Sequence, residues 1–205
     1  MLCSAGQKET GYPGMRLIIG ISGASGAIYG IRLLETLAGQ DDVETHLVMS
    51  ATGRMNIQIE TDWKAADVEK LADVVHRNND VGAMIASGSY RSDGMIVAPC
   101  SMKTLSAIVN SYADNLLCRA ADVMLKERKR LILVPRESPL HAGHCRLLHE
   151  ATQMGIDIAP PMPAFYNRPR TVDDIVNHTV GRILDLVGLE SGLVKRWTGT
   201  GKSSA

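Results

Sequence analysis

Two short stretches set chemistry-bearing side chains where an apolar run gives way to a polar one. In Pro135-Arg136-Glu137-Ser138 a fixed cation stands beside a carboxylate. An arginine fork suits a phosphate, and a carboxyl partly removed from water can hold and donate a proton near neutral pH. As a surface ion pair the same two residues would contribute little. Ser101-Met102-Lys103-Thr104 offers two hydroxyls and the fresh N–H donors of a helix start. That arrangement serves a ligand or plain helix capping by Ser101. Both readings stand at this point.

The chain is organised around a third stretch, Arg16 to Leu34. Leu17-Ile18-Ile19 has the composition of a buried strand and runs into Gly20-Ile21-Ser22-Gly23-Ala24-Ser25-Gly26. Ala27, Ile28, Ile31, Leu34 and Leu37 then recur at helical spacing, so a helix is expected from about Ser25. Strand, glycine turn and helix start make an anion cradle, with unpaired N–H groups aimed at a phosphate; a plain tight turn is the bland alternative. The G-x-x-G-x-x-G spacing fits neither the dinucleotide fingerprint nor the P-loop. The second strand, Val43 to Met49, ends at Ser50, where a dinucleotide site would place an acidic residue for the ribose. A neutral donor there favours a mononucleotide such as FMN over NAD.

Other reactive residue types carry less. Lys126 sits in a basic run with Arg128, Lys129 and Arg130, which reads as a solvated helix end. Arg119, two turns earlier, shares its face. Cys100 follows a proline at a strand end without an adjacent base and reads as a small buried residue. His141, His144 and His149 lie at i, i+3 and i+8 of one helix, so they do not converge on one ion and no metal is expected.

These residues need a scaffold. The 205 residues suit one domain, and Lys plus Arg equals Asp plus Glu at 22 each, which implies no nucleic-acid or membrane attraction. Four cysteines without C-x-x-C pairing suggest reduced thiols and a cytoplasmic setting. No run reaches the ~18 apolar residues of a membrane span. Residues 1–14 are expected to be a disordered leader, 15–197 a single FMN-binding domain and 198–205 a flexible tail. Beyond the first two strands, helices are expected over 51–60, 62–75, 112–128 and 141–154, and an apolar helix after Thr104. Strands are expected at 93–100, 131–134 and 156–159, and a long loop at 76–92. Thr171 with Asp174 should open the last helix by a capping box, running to about Val187. Alternation of this kind predicts an α/β fold, a three-layer, doubly wound parallel sheet of flavodoxin-like or Rossmann-like type. Its ligand crevice lies beyond the carboxyl ends of the strands, where 20–26, Ser50, 101–104 and 135–138 converge.

Taken together, GISGASGAIYGIRLLETL, APCSMKTLSAI, NLLCRAADVMLKERKRLILVPRESPLH and the late FYNRP followed by Arg182 resemble the flavin prenyltransferase family, the UbiX/Pad group. The resemblance runs from Arg16 to about Trp197. It implies an enzyme that joins a dimethylallyl unit from dimethylallyl phosphate to FMN at N5 and C6, releasing phosphate without a metal. FMN would be reduced, because the flavin captures the allylic cation. By matched position Gly23, Ala24, Ser25, Ser50, Ser101, Met102, Lys103, Thr104 and Arg136 would contact FMN. Lys126, Glu137, Tyr166 and Arg182 would grip the prenyl phosphate, with Glu60, Arg119 and Trp197 close by. Glu137, Ser25 and Lys126 are the catalytic candidates. The resemblance also implies a homo-oligomer, often a dodecamer, and a UbiD-type decarboxylase of hydroxyaryl acids as recipient of the prenylated cofactor. One departure is Val81, where relatives often carry a tryptophan. Two other classes stay open: an FMN-dependent decarboxylase, disfavoured because such relatives use a histidine after the first helix and an Asn-containing strand-end motif, and a non-catalytic FMN carrier.

Overall fold

The computed structural model describes residues 14–197 and Gly199. The expected leader and tail, apart from Gly14 and Gly199, lie outside the described residues. Six parallel strands form one sheet: β1 (Met15–Ile21), β2 (Val43–Met49), β3 (Val74–Arg77), β4 (Gly94–Cys100), β5 (Arg130–Pro135) and β6 (Asp157–Ile158). Their order is β3-β2-β1-β4-β5-β6, so the order reverses between β1 and β4. In such a sheet the ligand crevice opens at that switch point.

The central strands are apolar without alternation because both faces are covered. Leu17, Ile19, Ile21, Ile96, Ile132 and Val134 pack into one core, against helices α1 (Ala27–Leu37) and α7 (Val172–Leu186). Ile18, Met95, Val97, Leu131 and Leu133 pack into the other, against α4 (Met102–Val109), α5 (Leu116–Lys126) and α6 (Ala142–Gln153). Two short helices, α2 (Ala51–Glu60) and α3 (Ala65–Glu69), complete the first side. At Gly30 α1 presses so close to the carbonyl of Ala98 that a Cβ would collide with it. The capping box at Thr171 and Asp174 is present, and α7 ends one residue before Val187.

Three local expectations need correcting. The segment 62–75 is not one amphipathic helix: α3 covers only five residues, and Val74–Arg77 is the edge strand β3. Tertiary pairing overrides the helical periodicity there. The Asp73 carboxylate accepts from the Thr45 amide at 2.7 Å and its hydroxyl at 2.9 Å, and Val74 then pairs with His46 in the register of β2. The 76–92 loop consequently begins only after Arg77 and contains a 3-10 turn at Met84–Ala86. The helix expected from Tyr112 starts at Leu116 instead. Asn115 caps it by accepting from the Cys118 amide at 3.1 Å.

Candidate active site

A crevice of about 820 Å³ lies at the switch point, within the ordinary range for a small-molecule site. Gly23 forms part of its wall after β1, Ser50 and Thr52 after β2, Asn78 after β3, and Ser101, Lys103 and Thr104 after β4. Asn110, Asp114, Asn115 and Cys118, from the end of α4 and the start of α5, form the remaining side. A Cβ on Gly23 would stand 2.6 Å from the Thr52 Cβ, so only glycine fits beside that wall.

Each helix that begins at the crevice is capped by a short polar residue. Ser50 accepts from the Gly53 amide at 3.0 Å, and the Ser101 hydroxyl from the Thr104 amide at 3.2 Å while donating to the Thr104 hydroxyl at 3.0 Å. Ser22, 1% exposed, ties the two sides of the switch point together. Its hydroxyl donates to the Pro99 carbonyl at 3.0 Å and accepts from the Ser101 amide at 2.8 Å. Asn78 clamps α5 in turn, its side-chain oxygen accepting from the Leu117 amide at 3.0 Å. The thiols here are poor nucleophiles: burial raises the pKa of Cys118 and raises that of Cys100 further.

The cradle at α1 differs from expectation. The helix starts at Ala27, and Gly26, at φ 100°, turns the chain into it. Its first two donors, the amides of Gly26 and Ala27, point at the carboxylate of Glu60, at 2.8 and 3.0 Å. A side chain from the end of α2 thus takes the place anticipated for a phosphate, which places Glu60 on the helix start. Ala24, Ser25, Met102 and Arg136 do not line the crevice. The Ala24 carbonyl accepts from Asn56 at 2.9 Å.

The remaining residues expected at the flavin or around the prenyl phosphate lie on several different elements. Arg136 and Glu137 are exposed just after β5, with the Glu137 carboxylate accepting from the Ser138 amide at 3.1 Å. The chain itself leaves this carboxyl in water. Lys126 ends α5, immediately before β5, and pairs with Glu127. Arg119 binds the Ala86 carbonyl at 3.2 Å and Asp122 at 2.7 Å. Because Lys126 precedes β5 and Glu137 follows it, the strand separates them by its length, roughly 20 Å. Tyr166 and Arg182 line a cavity of about 340 Å³ on the α7 side. There the Tyr166 hydroxyl lies 3.1 Å from His178 Nε2, Trp197 meets the Tyr166 ring edge-on at 5.8 Å, and Arg182 pairs with Asp185 at 2.7 Å. Val81 is 53% exposed. The rings of His141 and His144 lie 3.7 Å apart, tilted by 32°, and among the described residues no three His, Cys, Asp or Glu side chains gather as a metal site.

Sequence reasoning missed Thr52, Asn78, Asn110 and Asn115. The N-cap position of Asn115 before an apolar helix was the one local signal available.

Comparison with known proteins agrees with this architecture. The model of the Flavoprotein family matches residues 5–184. The flavin prenyltransferase UbiX of Thauera aromatica is 57% identical over 185 residues, covering 90% of this chain and 95% of that protein. A crystal structure of a dodecameric FMN-dependent UbiX-like decarboxylase from Escherichia coli O157:H7 superposes with a TM-score of 0.89 at 54% identity, over 90% of this chain and all of that one. A UbiX protein in complex with FMN and dimethylallyl pyrophosphate also gives a TM-score of 0.89, at 49% identity, over 91% of this chain and 98% of that one. The chain belongs to the Flavoprotein family and, within it, to the UbiX flavin prenyltransferases.

Proposed function

We propose that the protein transfers a dimethylallyl group from dimethylallyl phosphate to reduced FMN at N5 and C6, releasing phosphate, as a single FMN-binding domain over 15–197. The observation that carries this reading is the switch-point crevice. It has room for a flavin mononucleotide, helix starts and hydroxyls for a phosphate or ribityl chain, and no ionised thiol to act as a protein nucleophile.

FMN, when bound, supplies the nucleophilic ring that receives the prenyl group. The chain's own part is binding, orientation and charge. Ser50, Ser101 and Thr104 offer hydroxyls and helix-start amides to the flavin phosphate and its polyol, and Lys103 adds a cation at the same wall. Gly23 adds its backbone at the same wall; Ala24, Ser25, Met102 and Arg136, which lie outside the crevice wall, are assigned to the flavin by family resemblance. Around the donor, Lys126, Arg182 and the Tyr166 hydroxyl stabilise charge on the departing phosphate, with Arg119 and Trp197 shaping that end of the site. Glu137 delivers a proton to a phosphate oxygen, whose second pKa is near ~6. Ser25 and Glu60, at the start of α1, extend the proton path.

Since Lys126 and Glu137 lie at opposite ends of β5, the working site is assembled from several copies. Large exposed apolar side chains support that assembly: Met55, Ile59, Val75, Val81 and Met84 in one segment, and Met162, Phe165, Val172 and Trp197 in another. A dodecamer like that of the UbiX-like relative satisfies this need. The product would pass to a UbiD-type decarboxylase. Among the described residues no helix is long and apolar enough to cross a membrane. The test is direct: anaerobic incubation with reduced FMN and dimethylallyl phosphate, followed by the mass of the flavin. A gain of one C5H8 unit supports the reading, and unmodified, tightly held FMN points to the carrier alternative.

A further inference from the structure

Tyr166 lies in the loop between β6 and α7, after the proline-rich stretch 160–163, in a turn closed by the Arg168 amide donating to the Phe165 carbonyl at 3.0 Å. Its side chain is 49% exposed. A phenol so placed samples several rotamers and hydroxyl directions unless its neighbours hold it. Trp197 meets the ring edge-on at 5.8 Å, and the His178 ring meets it at 5.5 Å with 81° between the planes. His178 Nε2 lies 3.1 Å from the hydroxyl oxygen. The two ring contacts orient the phenol, and the hydrogen bond to His178 decides where its O–H points.

His178 is well placed to do this. It is buried in the middle of α7, and Arg182 follows at i+4 on the same helix face. Tyr166, His178 and Arg182 all line the 340 Å³ cavity. Burial holds His178 below its ordinary pKa, helped by Arg182 and opposed by Asp185, so the ring is neutral and carries one N–H. The position of that hydrogen follows from Nδ1, which is buried and has no partner among the described residues. A buried N–H without an acceptor is a rarer defect than an acceptor without a donor. The hydrogen therefore belongs on Nε2, which donates to the Tyr166 oxygen. The phenolic hydrogen is left for a further acceptor, and the bond arriving at its oxygen makes it a stronger donor.

We propose that His178 is a positioning residue for the prenyl donor: its Nε2–H holds the Tyr166 oxygen so that the phenolic hydrogen is presented to the donor phosphate. The proposal rests on the reading of Tyr166 and Arg182 as the donor-phosphate end. His178 acts through Tyr166 and not on the reacting atoms. Its place on α7 ties the loop phenol to the helix that carries Arg182, so both phosphate ligands are set by one rigid element.

The test titrates dimethylallyl phosphate into the full-length protein loaded with oxidised FMN and reads binding by calorimetry, without turnover. Tyr166→Phe should weaken donor binding ~10-fold, the usual loss of one hydrogen bond to a charged group. His178→Leu and His178→Met remove the N–H with side chains of different shape, and whichever retains FMN should show a similar loss. Combined with Tyr166→Phe, that variant should bind no more weakly than Tyr166→Phe alone, because both changes break one linkage. His178→Gln, whose side-chain amide also carries an N–H, should recover most of the loss. A merely structural role for His178 predicts losses that add and no recovery with Gln. Normal donor binding after loss of the His178 N–H, or additive losses, overturns the proposal and leaves the reading of Tyr166 standing. Normal donor binding in Tyr166→Phe removes that reading, and the proposal with it. Absence of prenyl transfer with reduced FMN would count against the proposed function and not against this linkage.

Discussion

At the junction of β1 and β4, Ser22 bridges the two strand ends, Ser50 and Ser101 cap the helices that follow, and Asn78 and Asn115 fix α5. All of these come from one chain and all meet at one crevice. For the residues assigned above to the donor phosphate the pattern is the reverse. Lys126 and Arg119 stand on α5, Glu137 beyond the far end of β5, Tyr166 on a loop and Arg182 on α7. Topology alone creates the first kind of site, because a doubly wound sheet brings strand ends together. On the reading proposed above, the second kind needs symmetry as well, with neighbouring copies bringing Lys126 and Glu137 within reach of one phosphate.

Variants can break that division. Lys126→Ala or Arg182→Ala should lower turnover about 10²–10³-fold, the usual cost of one aimed donor, while FMN stays bound. Equal loss of FMN would erase the distinction between the two regions. Gly23→Val should do the opposite, weakening FMN at least ~10-fold in a flavin fluorescence titration, because the new side chain meets Thr52. Ser101→Ala removes a cap and should cost ~1 kcal/mol in chemical denaturation, with FMN affinity falling alongside.

The β2–β3 edge sharpens the contrast as a region outside both sites. His46, fully buried, lies 2.9 Å from His76 and 2.7 Å from Glu44, with Tyr90, Arg16 and Asp73 around it. Burial lowers the pKa of both histidines. The unfolded chain therefore binds more protons as pH falls below the ordinary histidine value of ~6.5, and stability should decline from there toward the folded values. His76→Phe should flatten that decline, and thermal melts between about pH 5 and 8 would read it.

Strand ends were legible in the sequence because buried parallel strands are continuous apolar runs, as in Leu17-Ile18-Ile19 and Leu131-Ile132-Leu133-Val134. Ser50, Ser101 and the Thr171–Asp174 box were legible for a similar reason, since capping is local chemistry. β3 was not: Val74-Val75-His76-Arg77 is short and mixed, and what makes it a strand is Thr45 and His46 on its neighbour. Asn78 and Asn110 carry no local mark of facing a crevice. Tyr166 and Arg182 entered through family resemblance alone, as no spacing rule links residues on a loop and on α7. The Glu60 carboxylate sits on the amides of Gly26 and Ala27, contacts spanning 34 and 33 positions that periodicity does not reveal.

The central claim is that the transferase site joins residues from different copies, and mixed oligomers test it most directly. Lys126→Ala and Glu137→Gln, each inactive alone, would be dissociated, combined in equal amounts and reassembled, and the flavin weighed after incubation with dimethylallyl phosphate. Random pairing across subunits makes about one site in four intact, so prenylated flavin should reappear at about a quarter of the unmodified protein's rate. No recovery in correctly reassembled oligomers would place both residues in one chain's site and contradict the account.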